Sequence, residues 1–299
     1  MARKSWYDPS LTESVRVVTE APSYSSMRRR HPRVAPGLFE CLVYPLKDGP
    51  GVAMLIFMPL ALTFVTLPIF DIIAILQPLG LLALPIFLPL IIVFCLVFGY
   101  ALLFFGHMFV ASALGEPDHP GWPEWDPPAI SEGLGRWLWA SIFGLALGGF
   151  PIVVYWQQCG DIDWFDLSIF AELSFIGIGY GLMALAASLL HDHIGMANPI
   201  TVISAILQVG WDYVQPCIVG GMAFLLATGA IYVVLFRIPE IKLAVFSLWM
   251  FWIFALYEFM VVLRMVGLTY NAHAEEIQWF RGRPKWGIPA RFGRLYTNS

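Results

Sequence analysis

The sequence predicts an all-α integral membrane protein with six transmembrane helices, and three observations carry that prediction. Six long apolar runs dominate the chain. Only 13% of its residues are charged and its mean hydropathy is +0.72, whereas a soluble fold of this size keeps far more polar surface. The runs are also continuous, without the polar–apolar alternation of a transmembrane β-barrel.

A spanning helix needs roughly 20 apolar residues, because each rises about 1.5 Å through a hydrocarbon core about 30 Å thick. The first run covers residues 52–76. The second, 80–114, is far longer than a bilayer, so its last turns are expected to project past the membrane. The third covers 137–156, the fourth 168–190, the fifth 214–236 and the sixth 243–269. Gln77-Pro78 and Pro239 supply turn chemistry between close neighbours. Pro59, Pro68, Pro85, Pro89 and Pro151 read as kinks, which a helix bundle tolerates because neighbours satisfy the freed carbonyls.

Short stretches between the runs carry helix signals of their own. In Asn198-Pro199 the Asn is a suitable N-cap and the Pro suits the first helical position. Thr201, Ser204 and Gln208 then share one face of a helix ending near Trp211, too short to cross and predicted to lie in the interface. Residues 38–46 and 129–134 read in the same way. The pattern suggests three units, each an interfacial helix followed by a helical hairpin.

Charge predicts the threading. Eight basic residues lie in the first 50 positions and six more from Arg264 onward, of 17 in the chain. By the bias of basic residues toward the inner side, both termini are expected in the cytoplasm, which six spans satisfy. Arg136 also falls inside, whereas Arg237 and Lys242 fall outside. The expected organisation is a mobile, basic cytoplasmic tail over 1–36, a six-helix membrane domain over 37–270 and a basic cytoplasmic segment over 271–299. No cleavable signal peptide is expected, since the apolar run starts only at Val52. Arg28-Arg29-Arg30 reads as an anchor for anionic headgroups, each arginine adding about 1 kcal/mol. The setting is predicted to be a membrane with the cytoplasm on the side of both termini.

Few residues suggest chemistry. Cys41, Cys95, Cys159 and Cys217 share no pair spacing. His191 and His193 flank Asp192, and His273 precedes Glu275 and Glu276. Two positions apart on a helix, however, His191 and His193 point to nearly opposite sides, so no metal and no cofactor are expected. Ionisable residues within the runs sort by depth. Asp71 and Glu172 fall near the interface, and Arg264 is close enough to the inner end to snorkel. Glu258 lies ten residues before Leu268, about 15 Å along the helix and close to the midplane. Ionisable groups at that depth are costly and mark functional sites. Tyr180, at a similar depth in the fourth run, is its expected partner. Gly144 and Gly148, and Gly177 and Gly181, are each four apart, a spacing that lets the third and fourth helices approach closely.

The loop 115–128 is acidic and held extended by five prolines. Trp122 and Trp125 are its anchors, with Glu124 and Asp126 beside them. It reads either as a docking strip for a basic partner or as a clasp onto the protein's own membrane face, the latter favoured because tryptophan is ordinary at interfaces.

Several pieces together resemble a loosely defined group of bacterial polytopic membrane proteins of unknown function, similar in style to the Yip family of trafficking proteins. They are Phe39 followed by Tyr44-Pro45-Leu46, the loop from Gly115-Glu116 to Pro123 with Trp122, the Asn198-Pro199 start, and Arg264-Met265-Val266-Gly267-Leu268-Thr269-Tyr270. The resemblance implies a helical membrane domain with a scaffolding or trafficking-like role and no catalytic residue. The sequence thus points first to a non-enzymatic membrane scaffold or assembly factor. Its partners would be membrane lipids and proteins in the membrane or at its cytoplasmic face, with no nucleic acid. The alternative is a small-solute or proton-coupled transporter with Glu258 in its pathway.

Overall fold

A computed structural model describes residues 37–47, 49–76, 84–116, 120–159, 163–191, 193–237, 241–277 and 279. The expected tail 1–36, the turns at Gln77-Pro78 and Pro239, and the basic residues 280–299 lie outside the described residues. So do Asp118 of the acidic loop, Asp192, and the side chains of Asp71, Arg237, Lys242 and Glu275.

The apolar runs fold as helices, and among the described residues six stretches are long and apolar enough to cross a membrane. The order is α1 (Leu38–Lys47), α2 (Gly49–Leu76), α3 (Leu84–Ala113) and α4 (Pro127–Gly144). A π turn (Leu145–Gly149) joins α4 to α5 (Phe150–Gln158), and α6 (Trp164–His191) follows. Beyond a 3-10 turn (Ile194–Ala197) come α7 (Pro199–Val209), a second 3-10 turn (Gly210–Tyr213), α8 (Val214–Arg237) and α9 (Ile241–Ile277).

Local chemistry explains the breaks. Asn198 caps α7, its side chain accepting from the Thr201 N–H at 3.0 Å. Gly210, at φ 61°, occupies a left-handed conformation that separates α7 from α8. Pro151 lacks an N–H and its ring would strike the carbonyl one turn back, so the helix widens into the π turn just before it. Several hydroxyls inside the bundle bond their own helix, as a hydrocarbon solvent favours: Thr63 donates to the Pro59 carbonyl at 2.7 Å and Ser188 to the Leu185 carbonyl at 2.8 Å.

Three boundaries differ from the sequence reading. Residues 129–134 form no separate interfacial helix but the first turns of α4, because Asp126-Pro127 starts the helix and nothing before Trp137 breaks it. Separate short helices therefore precede a longer one at α1 and α7 only, and α7 forms part of the fifth apolar stretch, Pro199–Ala227. The third span begins ten residues earlier than its apolar run, at Pro127. The sixth run ends at Thr269, yet α9 continues to Ile277, giving a helix of about 55 Å that outruns the bilayer.

The helix α9 is the hub. It packs against α1, α2, α3, α7 and α8, while α4 packs between α3 and α6, and α8 bridges α6 and α9. Around α9 the spans follow one another as α2, α3, α4, α6 and α8. Outward faces are apolar, with Phe57, Phe64, Ile92, Leu138 and Ile142 all exposed, as lipid contact requires. On α7, Ile200, Ile203 and Leu207 form the exposed stripe, continued by Trp211 in the next 3-10 turn, and Val202, Ala205 and Val209 face the protein.

Candidate functional site

One close helix contact in the bundle is made of glycine. A Cβ at Gly144 would stand 2.8 Å from the Gly177 carbonyl oxygen, and one at Gly148 would stand 2.6 Å from that of Leu173. The α4–π segment and α6 therefore touch backbone to backbone, as the paired four-residue spacings imply. Two helices that meet through glycine bring no side chains to fill the space behind the contact. There, between the α4–π–α5 span, α6, α8 and α9, lies a cavity of about 480 Å³.

Glu258 opens onto this cavity from α9. Its Oε2 is buried and has no hydrogen-bond partner among the described residues. The other polar side chains on the lining are the Ser141 and Ser174 hydroxyls. Tyr180, the expected partner of Glu258, is engaged elsewhere: its hydroxyl donates to the Ala197 carbonyl at 3.0 Å and pins the 3-10 turn after α6. Gly181 and Leu182 beside it line the cavity, so Tyr180 is turned to another side of α6, a difference that counting residues from an apolar boundary could not resolve. A carboxyl with no partner in an apolar cavity can hold a proton or meet a cation; a bare carboxylate there is costly.

The acidic loop folds against its own helix. Trp122 stacks on Tyr100 and packs against Phe104, with ring centroids at 6.2 and 5.5 Å. Trp125 tilts against Tyr100 at 5.3 Å, and the Tyr100 hydroxyl donates to the Pro123 carbonyl at 2.9 Å. Trp125 nevertheless remains 60% exposed, between the exposed Glu124 and Asp126. Asp126 is the N-cap of α4 through its backbone, its carbonyl accepting from the Ile130 N–H at 2.9 Å.

Arg264 does not snorkel. It is 2% exposed and among the largest fully buried side chains. Its guanidinium lies 4.2 Å from the Tyr44 ring centroid, donates to Ser112 Oγ at 3.2 Å and to the Glu116 carbonyl at 2.7 Å, and stands 3.7 Å from the Glu40 carboxylate. The neighbouring Gly267 makes this possible, since a Cβ there would meet Ser112 Cβ at 2.5 Å, so α9 and α3 come into contact one turn away. Beside the arginine, burial pushes the Cys41 thiol up to about 11, against the opposing pull of Arg264. Sequence reasoning missed this node, although a signal existed. Tyr44, Glu116 and Arg264 belong to three of the separate pieces that carry the family resemblance, and they meet in space.

The histidines do not converge. His193 Nδ1 accepts from the Gly195 N–H at 3.0 Å, His191 packs on Trp279 at 5.7 Å, and His273 faces Asp212 at 3.3 Å and the Thr269 carbonyl at 3.1 Å. Among the described residues no group of three His, Cys, Asp or Glu side chains is placed to hold a metal. Glu172 is exposed on the first turns of α6. Asp163 and Asp166 form a capping box at the start of that helix, each side chain accepting the other's N–H at 2.9 Å, and Tyr155 adds a hydrogen bond to Asp166 at 2.7 Å.

The chain matches no protein-family model, no curated protein and no solved structure.

Proposed function

We propose that this multi-pass membrane protein is a non-enzymatic carrier that binds a small solute in the Glu258 cavity and couples it to a proton on that carboxyl. One observation carries the reading: a buried carboxyl oxygen without a partner, near the middle of the Val245–Ala274 span, faces a cavity large enough for a small molecule. Elsewhere in this bundle charged groups are spent on structure, as at Arg264 and Asp166. Glu258 is held available. Purified protein in liposomes loaded with a pH-sensitive dye tests it: a proton leak or solute-driven proton flux is expected, and its persistence in Glu258→Gln would sink the reading.

A scaffold or assembly factor is the second reading, favoured by Trp125. That indole is fixed on one side by Tyr100 and left open between two carboxylates, the arrangement of a rigid anchor for a basic protein partner. Co-purification from native membranes, with and without Trp125→Ala, separates this reading from the first.

The same proposal places the protein in a bacterial inner membrane with both termini cytoplasmic. The basic bias supports that threading. So does the gathering of α1, the acidic loop and the final turns of α9 around Arg264 at one end of the bundle. Cys41 and Cys217 are buried and Cys95 lies within the Leu88–Ala113 span, so Cys159 is the natural reporter. An impermeant thiol reagent should label it from outside intact cells; labelling only after lysis would reverse the threading. Kinship with the Yip-like group belongs to this proposal and rests on the pieces that meet at Arg264.

A further inference from the structure

We propose that the solute of the Glu258 cavity is a lipophilic monocation, an ammonium or phosphonium on an apolar body, taken up in exchange for one proton. This rests on the reading of the cavity as a carrier site and names its substrate class.

Charge complementarity comes first. Among the described residues lining the cavity from α4, the π turn, α5, α6, α8 and α9, Glu258 is the one titratable side chain. No lysine, arginine, histidine, asparagine or glutamine joins it, so nothing there would hold an anion. Arg264, six residues along α9, is committed to Ser112, Glu116 and Tyr44 and does not line the cavity. Polar capacity comes second. Two serine hydroxyls cannot satisfy a sugar or a polyol, whose many hydroxyls would each lose water without replacement. The remaining lining is glycine, alanine, branched aliphatic side chains and the Phe259 ring, surfaces that pay for an apolar body and, at Phe259, favour a nearby cation.

Access comes third. Ser141 and Leu145 lie near the middle of the Pro127–Gln158 span, line the cavity and are exposed, Leu145 by 63%. Exposed positions at that depth face lipid, so the cavity opens sideways to the hydrocarbon. A cation with an apolar body collects in the bilayer and reaches such a mouth; a hydrophilic solute does not. The exchange balances simply. The Glu258 carboxyl loses its O–H proton to water as the cation arrives, and the site keeps zero net charge in both states.

Tetraphenylphosphonium and tetraphenylborate, alike in shape and opposite in charge, test this on the purified full chain by equilibrium binding. One saturable phosphonium site per chain is expected, with affinity rising about tenfold per pH unit while one proton is released per cation. Glu258→Gln should weaken it about thirtyfold or more. Ala223→Phe, which fills the cavity and keeps the acid, should also weaken it, and Trp125→Ala should leave it unchanged. Equal binding of the borate, or full phosphonium affinity in Glu258→Gln, overturns the proposal. If phosphonium fails to bind while Glu258-dependent proton flux persists in liposomes, the substrate class is wrong and the carrier reading stands. If neither responds to Glu258→Gln, both fall.

Discussion

Two ionisable residues six positions apart on α9 have opposite surroundings. Arg264 is enclosed by partners from α1, α3 and the loop after α3: an aromatic face, a hydroxyl, a carbonyl and a carboxylate. Only its Nε lacks one. Glu258 faces a cavity and has an oxygen with no partner. Both are rare groups in a spanning helix, so rarity alone does not tell structure from function. Saturation does. A charge that knits three elements together is used up by the fold, whereas one left facing space costs stability and is kept for something that arrives.

The largest effect should come from breaking the saturated side. Arg264→Ala removes the donor to Ser112 Oγ and to the Glu116 carbonyl and weakens the hold of α1 on α9, at a cost of about 3 kcal/mol, the upper range for a single site. Thermal unfolding in detergent should show a clear fall in Tm, with Arg264→Lys intermediate because an ammonium lacks the planar fork. A Tm unchanged in Arg264→Ala would mean that the node is ornamental. Next comes the glycine contact that creates the cavity. Gly148→Ala drives a methyl group into the Leu173 carbonyl and should destabilise by about 1–3 kcal/mol, read by the same melt.

The acidic loop should divide in the same way. Trp122→Ala removes the ring stacked on Tyr100 and Phe104 and should cost about 1–2 kcal/mol. Trp125→Ala, at a largely exposed ring, should stay within about 0.5 kcal/mol. Equal losses would mean that both indoles only clasp the loop. The smallest stability change belongs to Glu258→Gln, which keeps shape and removes the ionisable proton. Its stability should match the parent within about 0.5 kcal/mol, with Tm essentially unchanged, while proton flux is lost. Glu258→Lys, which forces a fixed ammonium into the cavity, should instead fail to accumulate in the membrane.

Much of this was legible in the residues. Long apolar runs must become helices in a bilayer, because no water is present to satisfy an exposed backbone, and all six spanning helices follow from that. The capping of α7 by Asn198 and the close approach at Gly144, Gly148, Gly177 and Gly181 were legible too, since each depends on a few neighbouring positions. Depth counting also singled out Glu258. It failed for Tyr180 and Arg264, because distance along a helix says nothing about which neighbour a side chain faces.

By itself, then, the sequence determined that the chain is helical and membrane-bound, and where its helices run, because solvent and backbone impose those outcomes on any chain with this hydropathy. It also placed one acid near mid-membrane. Only the tertiary structure decided that Tyr44, Ser112, Glu116 and Arg264 form one node and that Glu258 is left outside every such node, facing a cavity. Those facts depend on the angular setting of one helix against another. That setting is governed by where glycine lets backbones touch, a sum over many weak contacts that no single stretch of residues encodes.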